Sequence, residues 1–244
     1  MERVGIVVQA RLNSGRLPNK ALLPIEGKAL LHRLCDRVGR SRQAEALVVA
    51  TSDQPWDQPI EDTCHSCGIS VFRGPEQDLT SRLLGASHEH SLTAIVRVTG
   101  DNPLTDPQGI DELISAFRRE GADYVHNAHR FGYPYGTGAE LVRVSALKIC
   151  DRKLEDDGDR ENVFLFFRQH PDVFPCLKLN APPRLLRPKY FLTVDYPEDV
   201  KLLSQIYAQF QRRDDVALDE IIEFLDSNPE LAQVNSHRHQ QFDE

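Results

Sequence analysis

Short apolar runs alternate with amphipathic stretches along the first half of the chain. Runs that stay apolar at consecutive positions are typical of strands that are covered on both faces of a sheet. They predict strands at 4–9, 46–51, 69–72, 94–99 and 123–127. Apolar residues at helical spacing predict helices between them, at 28–41, 57–67, 78–90 and from Pro107 onward.

This alternation predicts an α/β fold, in which a mostly parallel sheet lies between two layers of helices. Ligands bind to such sheets beyond the carboxyl ends of the strands. Polar residues that directly follow the strands are therefore the first candidates for a functional site.

The pattern changes in the middle of the chain. Residues 129–190 contain aromatic, glycine- and proline-rich turns, with one short helix expected near 160–170. We interpret 129–190 as an inserted subdomain or arm within a single domain of residues 1–244.

The first pattern returns near the C-terminus. The segment 190–195 (YFLTVD) predicts another strand, and Pro197 lies near the start of the helix that follows. A last amphipathic helix is expected over about 218–225, and the polar tail 236–244 is expected to fray.

Composition narrows the class of protein. The 244 residues are 40% hydrophobic and 27% charged, as in ordinary globular proteins, and no apolar run reaches the length of a membrane span. The N-terminal apolar run is too short for a signal peptide, so we expect a cytoplasmic protein. A net charge of −8 disfavours a general nucleic-acid binder.

The five cysteines are expected to be free thiols, because their number is odd and no secretion signal is apparent. Cys64 and Cys67 have the spacing of a metal site, but a structural zinc site needs about four ligands. Cys64 is in helical phase with Ile60, which favours a buried core position.

The loop after the first strand, QARLNSGRLPNK, carries three cations within ten residues: Arg11, Arg16 and Lys20. It is neither a Walker A loop nor a GxGxxG motif. Residues 13–15 permit a tight turn whose backbone N–H groups can face a ligand. Two planar guanidinium groups and one ammonium suit a triphosphate, although a solvated basic loop has the same composition.

Two aspartates follow other predicted strands. Asp101 comes after the strand that ends at Thr99, and Asp195 comes after YFLTV. Carboxylates at strand ends that face a phosphate loop suit Mg²⁺. A turn at Asp101 and a helix cap at Asp195 are the alternative interpretations, and Asp106 before Pro107 is better explained as a cap.

Three motifs together, QARxxSxRLPxK, RVTGDxPLxDP and TVDYPED, resemble the cytidylyltransferase family that includes the spore-coat polysaccharide biosynthesis F type. Relatives of that family make CMP-Kdo and CMP-sialic acid. The segments VVATSD, VFRGPEQD, ADYVHN and DREN also follow the family's order, so the resemblance covers most of the chain. It implies a GT-A-like, Rossmann-like nucleotide-diphospho-sugar transferase fold with an inserted arm, which in relatives usually makes a dimer contact.

The resemblance also implies roles for individual residues. The residues assigned to CTP binding are Gln9, Ala10, Arg11, Ser14, Arg16, Lys20, Thr51, Asp53, Arg73, Asp78, Thr99 and Gly100. The catalytic set is Arg16, Lys20, Asp101 and Asp195, of which the two aspartates are the metal ligands for Mg²⁺. The acceptor-binding set is Arg97, Asn127 and Glu140.

The chain departs from the family pattern on the acceptor side. Segment 135–140 reads YGTGAE where many members have acidic residues, and RENVF replaces REHVT. A sugar acid and a phosphate or phosphonate acceptor both stay open, given the cations Arg73, Arg97 and Arg130. His126, His129 and Glu140 are candidates for a general base, and none is assigned that role.

The expected reaction is attack of an acceptor oxygen on the α-phosphorus of CTP, with release of pyrophosphate. One alternative is a GT-A-type glycosyltransferase, although no DxD motif lies where a metal would be needed. The other is a nucleotide-binding subunit without turnover. A homodimer is expected from the inserted arm.

Overall fold

The computed structural model describes residues 2–154 and 156–239, with the side chain of Asp157 excepted. Its strands are β1 Val4–Gln9, β2 Pro24–Ile25, β3 Lys28–Ala29, β4 Ala46–Ser52, β5 Ser70–Gly74, β6 Ala94–Thr99, β7 Tyr124–His126, β8 Glu140–Arg143 and β9 Cys176–Lys178. Its α-helices are α1 Leu30–Val38, α2 Gln58–Ser66, α3 Leu79–Glu89, α4 Pro107–Glu120, α5 Val144–Asp151, α6 Asp157–Glu161, α7 Val163–Gln169, α8 Pro197–Gln209, α9 Leu218–Asp226 and α10 Pro229–Ala232. None of the described helices is long and apolar enough to cross a membrane.

Seven strands form the main sheet, in the order β5-β4-β1-β6-β8-β7-β9. The pairs β5-β4, β4-β1 and β1-β6 are parallel, whereas β8 runs antiparallel to both β6 and β7. The carboxyl ends of β1, β4 and β6 therefore lie at one edge, as the alternating pattern predicts. The predicted mixed, mostly parallel sheet is confirmed.

Alternate side chains of the strands face two separate cores. Ile6 and Val8 pack with α1 and α4, whereas Val7 packs with α3, α5 and α7 on the opposite face. Both cores consist of buried aliphatic and aromatic residues with a few cysteines among them. The result is the three-layer arrangement that the continuous apolar runs predict.

Two predicted helix caps are confirmed. The Asp78 carboxylate accepts a hydrogen bond from the backbone N–H of Ser81, and Asp106 accepts from the N–H groups of Gln108 and Gly109. These side chains satisfy N–H groups that have no partner within the helix, which stabilises a helix start by about 1 kcal/mol.

The segment 129–190 contributes two strands to the main sheet. β8 is inserted between β6 and β7, and β9 forms the edge next to β7. Helices α5 and α7 bury their apolar faces in the core that also contains α3. This part of the segment therefore belongs to the main body of the fold, and its role as a dimer contact stays a prediction.

The prediction of a strand over 190–195 is wrong. Among the described residues this segment makes only an isolated bridge, between Tyr135 and Phe191. It runs extended because its apolar side chains, such as Leu192 and Val194, are buried in a third core with α8 and α9. Burial alone therefore accounts for the apolar run, without a sheet ladder.

The described part of the C-terminal tail, residues 236–239, is folded rather than frayed. Ser236–Arg238 form a 3₁₀ turn, and His239 is fully buried against the Asp199 carboxylate. The rest of the predicted frayed tail, 240–244, lies outside the described residues.

The core interpretation of Cys64 is confirmed, since it is buried beside Ile60 in the first core.

Candidate active site

The loop after β1 is held in place by backbone contacts. The N–H of Ala10 donates to the carbonyl of Ala50 at 3.2 Å, and the N–H of Gly100 donates to the carbonyl of Gln9 at 2.8 Å. The Leu12 N–H donates to the buried Asp57 carboxylate at 2.7 Å. These bonds fix the loop across the carboxyl ends of three parallel strands, where the sequence pattern places a site.

This loop borders a cavity of about 370 Å³. The cavity is lined by Gln9, Ala10, Arg11, Asn13, Ser14, Gly15, Arg16, Lys20, Ala21, Arg82, Thr99, Gly100, Asp101 and Glu161. Most residues of the predicted nucleotide loop and of the strand end at 99–101 are therefore brought together around one space.

Lys20 lies between the two predicted metal ligands. Its Nζ is 2.6 Å from Asp101 Oδ2 and 2.7 Å from Asp195 Oδ1, and it also donates to the carbonyl of Val194. Arg16 adds a second contact to Asp195, at 2.8 Å. The cations of the loop are thus compensated by carboxylates that come from two other parts of the chain.

Asp195 reaches this position without a strand. The N–H of Val194 donates to the carbonyl of Asp101 at 2.9 Å, which ties the two aspartate segments together. The N–H groups of Asp195 and Tyr196 both donate to the buried Asp199 carboxylate at 2.8 Å. The first turn of α8 therefore orients the Asp195 backbone.

The ion pairs stabilise the charged form of Lys20. Burial by itself lowers the pKa of Lys20, but the carboxylates of Asp101 and Asp195 outweigh burial and raise it. The pKa of Arg16 is raised in the same way by Asp195, against the effect of burial. Both side chains are therefore cationic at neutral pH.

The other end of the cavity has a different charge pattern. Arg11 Nη1 lies 3.0 Å from Glu161 Oε2, and Arg82 Nη2 lies 3.5 Å from Glu161 Oε1. Asn13 donates to the Glu76 carboxylate at 3.2 Å. At this end the loop is held to α6 and to the segment before α3.

A buried charged cluster lies beside Gln9. The Glu140 carboxylate accepts from Arg97, Arg168 and Tyr124, and Arg97 also donates to Gln9 Oε1 at 2.8 Å. Burial raises the pKa of Glu140, but the two arginines outweigh burial and hold it below its usual value. Glu140 is therefore an ionised carboxylate already engaged by its neighbours, which disfavours it as a proton acceptor.

His126 is enclosed next to this cluster. Its ring stacks on Tyr124 with centroids 4.8 Å apart, and neither of its ring nitrogens has a hydrogen-bond partner among the described residues. Burial lowers its pKa to about 4, so the ring is neutral at pH 7. His129 also has a pKa lowered by burial.

Several predicted site residues do not line the cavity. Among them, Arg97 donates to the lining residue Gln9, Asp195 accepts from the lining residue Lys20, and Glu140 pairs with Arg97.

Other predicted site residues lie further away. Thr51 is fully buried, and Asp53 is exposed and accepts from the side chain of Gln54. The Arg73 guanidinium donates to backbone carbonyls of 52–54 and to side chains of α2. Their assignment to CTP binding stays a prediction.

Asp78 and Asn127 also have structural contacts of their own. Besides capping α3, the Asp78 carboxylate pairs with Arg160 at 2.6 Å. The buried Asn127 side chain accepts from the N–H of Ala139 at 2.7 Å, which holds the turn before β8. Neither residue lines the cavity.

The residues present fit a divalent cation between Asp101 and Asp195. A cationic nitrogen, Lys20 Nζ, already lies within 2.7 Å of an oxygen of each. No group of three or more histidine, cysteine or acidic side chains converges on a metal position in the described ranges. Such an ion would therefore take its other ligands from phosphates and water, as Mg²⁺ commonly does.

Sequence reasoning missed Arg82 and Glu161, which line the cavity, and Asp199, which orients Asp195. Arg82 lies in a helix whose sequence carries no signal of a site, and Glu161 lies in the DREN segment, to which the resemblance assigns a place in the family's order but no role. Asp199 carried one available signal, since an acid three residues after the N-cap residue, here Tyr196, commonly caps a helix.

Comparisons with known proteins give consistent matches. A family model described as cytidylyltransferase matches residues 5–236. The spore coat polysaccharide biosynthesis protein SpsF of Bacillus subtilis (strain 168) is 35% identical over 237 residues, which cover 95% of this chain and 98% of that protein. A 3-deoxy-manno-octulosonate cytidylyltransferase of Neisseria meningitidis serogroup C is 30% identical over 187 residues, covering 73% of this chain and 66% of that enzyme. The solved structure of a cytidylyltransferase from Leptospira borgpetersenii superimposes with a TM-score of 0.90 at 28% identity, covering 96% of this chain and 98% of that one.

Proposed function

We propose, from the premise that this chain belongs to the cytidylyltransferase family, that it transfers the CMP group of CTP to an acceptor hydroxyl and releases pyrophosphate. The family resemblance inferred from the three motifs, the fold and the nucleotidyltransferase class are confirmed. The observation that supports the residue assignments is the ion-pair network of Arg16, Lys20, Asp101 and Asp195, of which all but Asp195 line the cavity.

The phosphates would lie against Arg16 and Lys20. A guanidinium fork and an ammonium at the carboxyl edge of the sheet can hold the β- and γ-phosphates and stabilise the charge of departing pyrophosphate. Asp101 and Asp195 would hold Mg²⁺, which supplies neutralisation of phosphate charge when bound. Lys20 would then exchange its carboxylate partners for phosphate oxygens, so that charge remains balanced in both states.

The acceptor would approach from the side of the Glu140 cluster. Arg97 is half-buried there, and Arg168 and Arg130 supply further positive charge near His126. This excess of cations over the single carboxylate suits a carboxylate or phosphate on the acceptor. We favour a sugar acid, because one relative is named for 3-deoxy-manno-octulosonate and another for polysaccharide biosynthesis.

The test is pyrophosphate release with CTP and a panel of sugar acids, phosphosugars and phosphonates. Asp101→Asn and Asp195→Asn are each expected to lower kcat at least a hundredfold, because each removes a charged ligand of the metal ion that would neutralise the phosphates. Asp62→Asn, an exposed acid on α2, is the control and should behave as wild type. Full activity of both cavity variants would refute the metal assignment.

Two other outcomes would favour the alternatives. CTP binding without turnover for every acceptor in the panel would support a nucleotide-binding subunit. Activity only with nucleotide-sugars would support a glycosyltransferase.

Since CTP is made and held in the cytoplasm, we place the reaction there.

We also propose a homodimer formed through residues 129–190. Four of the five large apolar side chains exposed in the described ranges lie in this segment: Ile149, Leu165, Val173 and Leu186. This concentration of exposed apolar side chains in one segment is the feature that supports an interface there. Leu165→Glu should convert a dimer to a monomer in size-exclusion chromatography with light scattering, and an unchanged mass would refute this interface.

A further inference from the structure

The two ends of the cavity suit different parts of a nucleotide. The end with Lys20 offers cations and two carboxylates that can share a metal with phosphates. The other end carries the Glu161 carboxylate between Arg11 and Arg82. The Glu161 carboxylate can only accept hydrogen bonds, and a nucleobase offers N–H donors whereas an ionised phosphate offers none, so the base is the part of the nucleotide that fits there.

One oxygen of Glu161 has unused hydrogen-bonding capacity. Oε2 pairs with Arg11, whereas Oε1 is buried, lies 3.5 Å from Arg82 Nη2 and has no hydrogen-bond partner among the described residues. A buried acceptor without a donor is costly, and buried polar atoms are usually satisfied. A ligand N–H placed at Oε1 would remove this cost.

Arg82 provides a fixed donor beside that acceptor. Its side chain is only 5% exposed, and its Nη1 donates to the backbone carbonyls of Pro75 and Glu76. These carbonyls belong to the turn that precedes α3, so the guanidinium is held rigidly while it borders the cavity. Arg82 and Glu161 thus present a donor next to an acceptor on one wall.

That order of donor and acceptor matches cytosine and opposes uracil. Cytosine presents an acceptor at N3 and a donor at its 4-amino group, whereas uracil presents a donor at N3 and an acceptor at O4. Arginine can only donate and an ionised carboxylate can only accept. We infer that Arg82 and Glu161 read the base edge of the nucleotide, with Glu161 accepting from the 4-amino group and rejecting the O4 of uracil.

This inference rests on the proposed function and deepens it by assigning the residues that select the base. Adenine shares the acceptor-donor order of cytosine, so the pair separates amino from oxo bases and does not itself exclude purines. On binding, the base replaces the long contact between Arg82 and Glu161, whereas the contact of Glu161 with Arg11 is retained.

The test compares binding of CTP and UTP by isothermal titration in the presence of MgCl₂, for wild type, Glu161→Gln and Asp159→Asn. Glutamine keeps the shape of the side chain but can either accept or donate, so it tolerates both bases. Asp159 is an exposed acid on the same helix, and its substitution controls for the loss of one negative charge from that helix.

Wild type and Asp159→Asn should prefer CTP over UTP to the same extent. Glu161→Gln should lower that preference roughly tenfold to a hundredfold, the range expected for one hydrogen bond to a charged group. A uniform change in affinity for both nucleotides, with the preference unchanged, would overturn the inference.

A modified nucleotide gives an independent readout. A CTP analogue in which hydrogen replaces the 4-amino group should bind wild type at least tenfold more weakly than CTP, and this difference should shrink in Glu161→Gln. An equal penalty in both proteins would also overturn the inference. If wild type shows no preference for CTP at all, the proposed function itself fails, and that result is distinct from a preference that survives in Glu161→Gln.

Discussion

The Asp199 carboxylate gives the sharpest test of how the site is held together. It is fully buried and accepts from the backbone N–H groups of Asp195 and Tyr196 and from Asn235, and it lies 2.9 Å from the ring of His239. Asp199→Ala would leave these groups buried without an acceptor.

The expected loss in the free energy of unfolding follows from the four groups that contact Asp199. Removing one member of a buried charged network typically costs about 3–5 kcal/mol, less than the sum of separate hydrogen bonds because the neighbours relax together. For a chain of this size that loss corresponds to a fall in Tm of roughly 6–20 °C. Asp199→Asn should cost about half as much. One carboxylate oxygen serves the backbone N–H groups of Asp195 and Tyr196, and the other serves Asn235 and His239. The amide of asparagine keeps an acceptor oxygen for only one of these two sets.

The measurement is urea unfolding and thermal melting without nucleotide, followed by pyrophosphate release at a temperature where the variants are folded. Glu220→Gln is the matched control, since Glu220 occupies the same place in α9 and accepts from Ala217 N at 3.0 Å while exposed. Its cost should stay below about 1 kcal/mol. Equal losses for Asp199→Ala and Glu220→Gln would refute the argument that burial of this network orients Asp195.

Three further predictions test other parts of the molecule. Lys20→Met removes the ammonium from between the two carboxylates, so it should weaken CTP binding at least tenfold and strengthen Mn²⁺ binding without nucleotide, measured by electron paramagnetic resonance; unchanged Mn²⁺ affinity would contradict this. His126 has a pKa of about 4 in the folded protein against about 6.5 in the unfolded chain. Because the unfolded chain binds the proton more readily, stability is full above pH 6.5, and about 2–3 kcal/mol of the free energy of unfolding should be lost as the pH falls to 4.5. His126→Phe should lose less stability than wild type over that pH range, and parallel curves would count against the assignment. Glu140→Gln leaves Arg97 and Arg168 without their shared charge, so it should cost about 3–5 kcal/mol in urea unfolding, and a loss below 1 kcal/mol would show that the cluster is not stabilised by this charge.

Local features of the chain were predictable because they depend on neighbouring residues. The apolar runs gave the strands of the parallel half of the sheet, and Asp78 and Asp106 were recognised as caps from the residues that follow them. The cations of the first loop indicated an anionic ligand for the same reason. Three motifs in order were enough to identify the family.

Contacts between distant segments were not predictable in this way. The insertion of β8 between β6 and β7 depends on pairing between strands that are separated along the chain, and the pattern of one strand does not specify its neighbour. The run YFLTV was mistaken for a strand because burial in the third core and burial in a sheet select the same residue types.

The amino-acid sequence by itself therefore determined the family and the layered α/β fold, and it indicated the cations and aspartates that meet around Lys20. Only the tertiary structure decided that Asp101 and Asp195 meet on either side of Lys20. Their segments are joined by the hydrogen bond from Val194 N–H to the Asp101 carbonyl, between residues 93 positions apart along the chain. It likewise decided that Arg82 and Glu161 face each other with an acceptor left unsatisfied. Such pairs result from the packing of whole elements, which depends on the shape of the complete core, whereas strand and helix signals depend on the residues next to them.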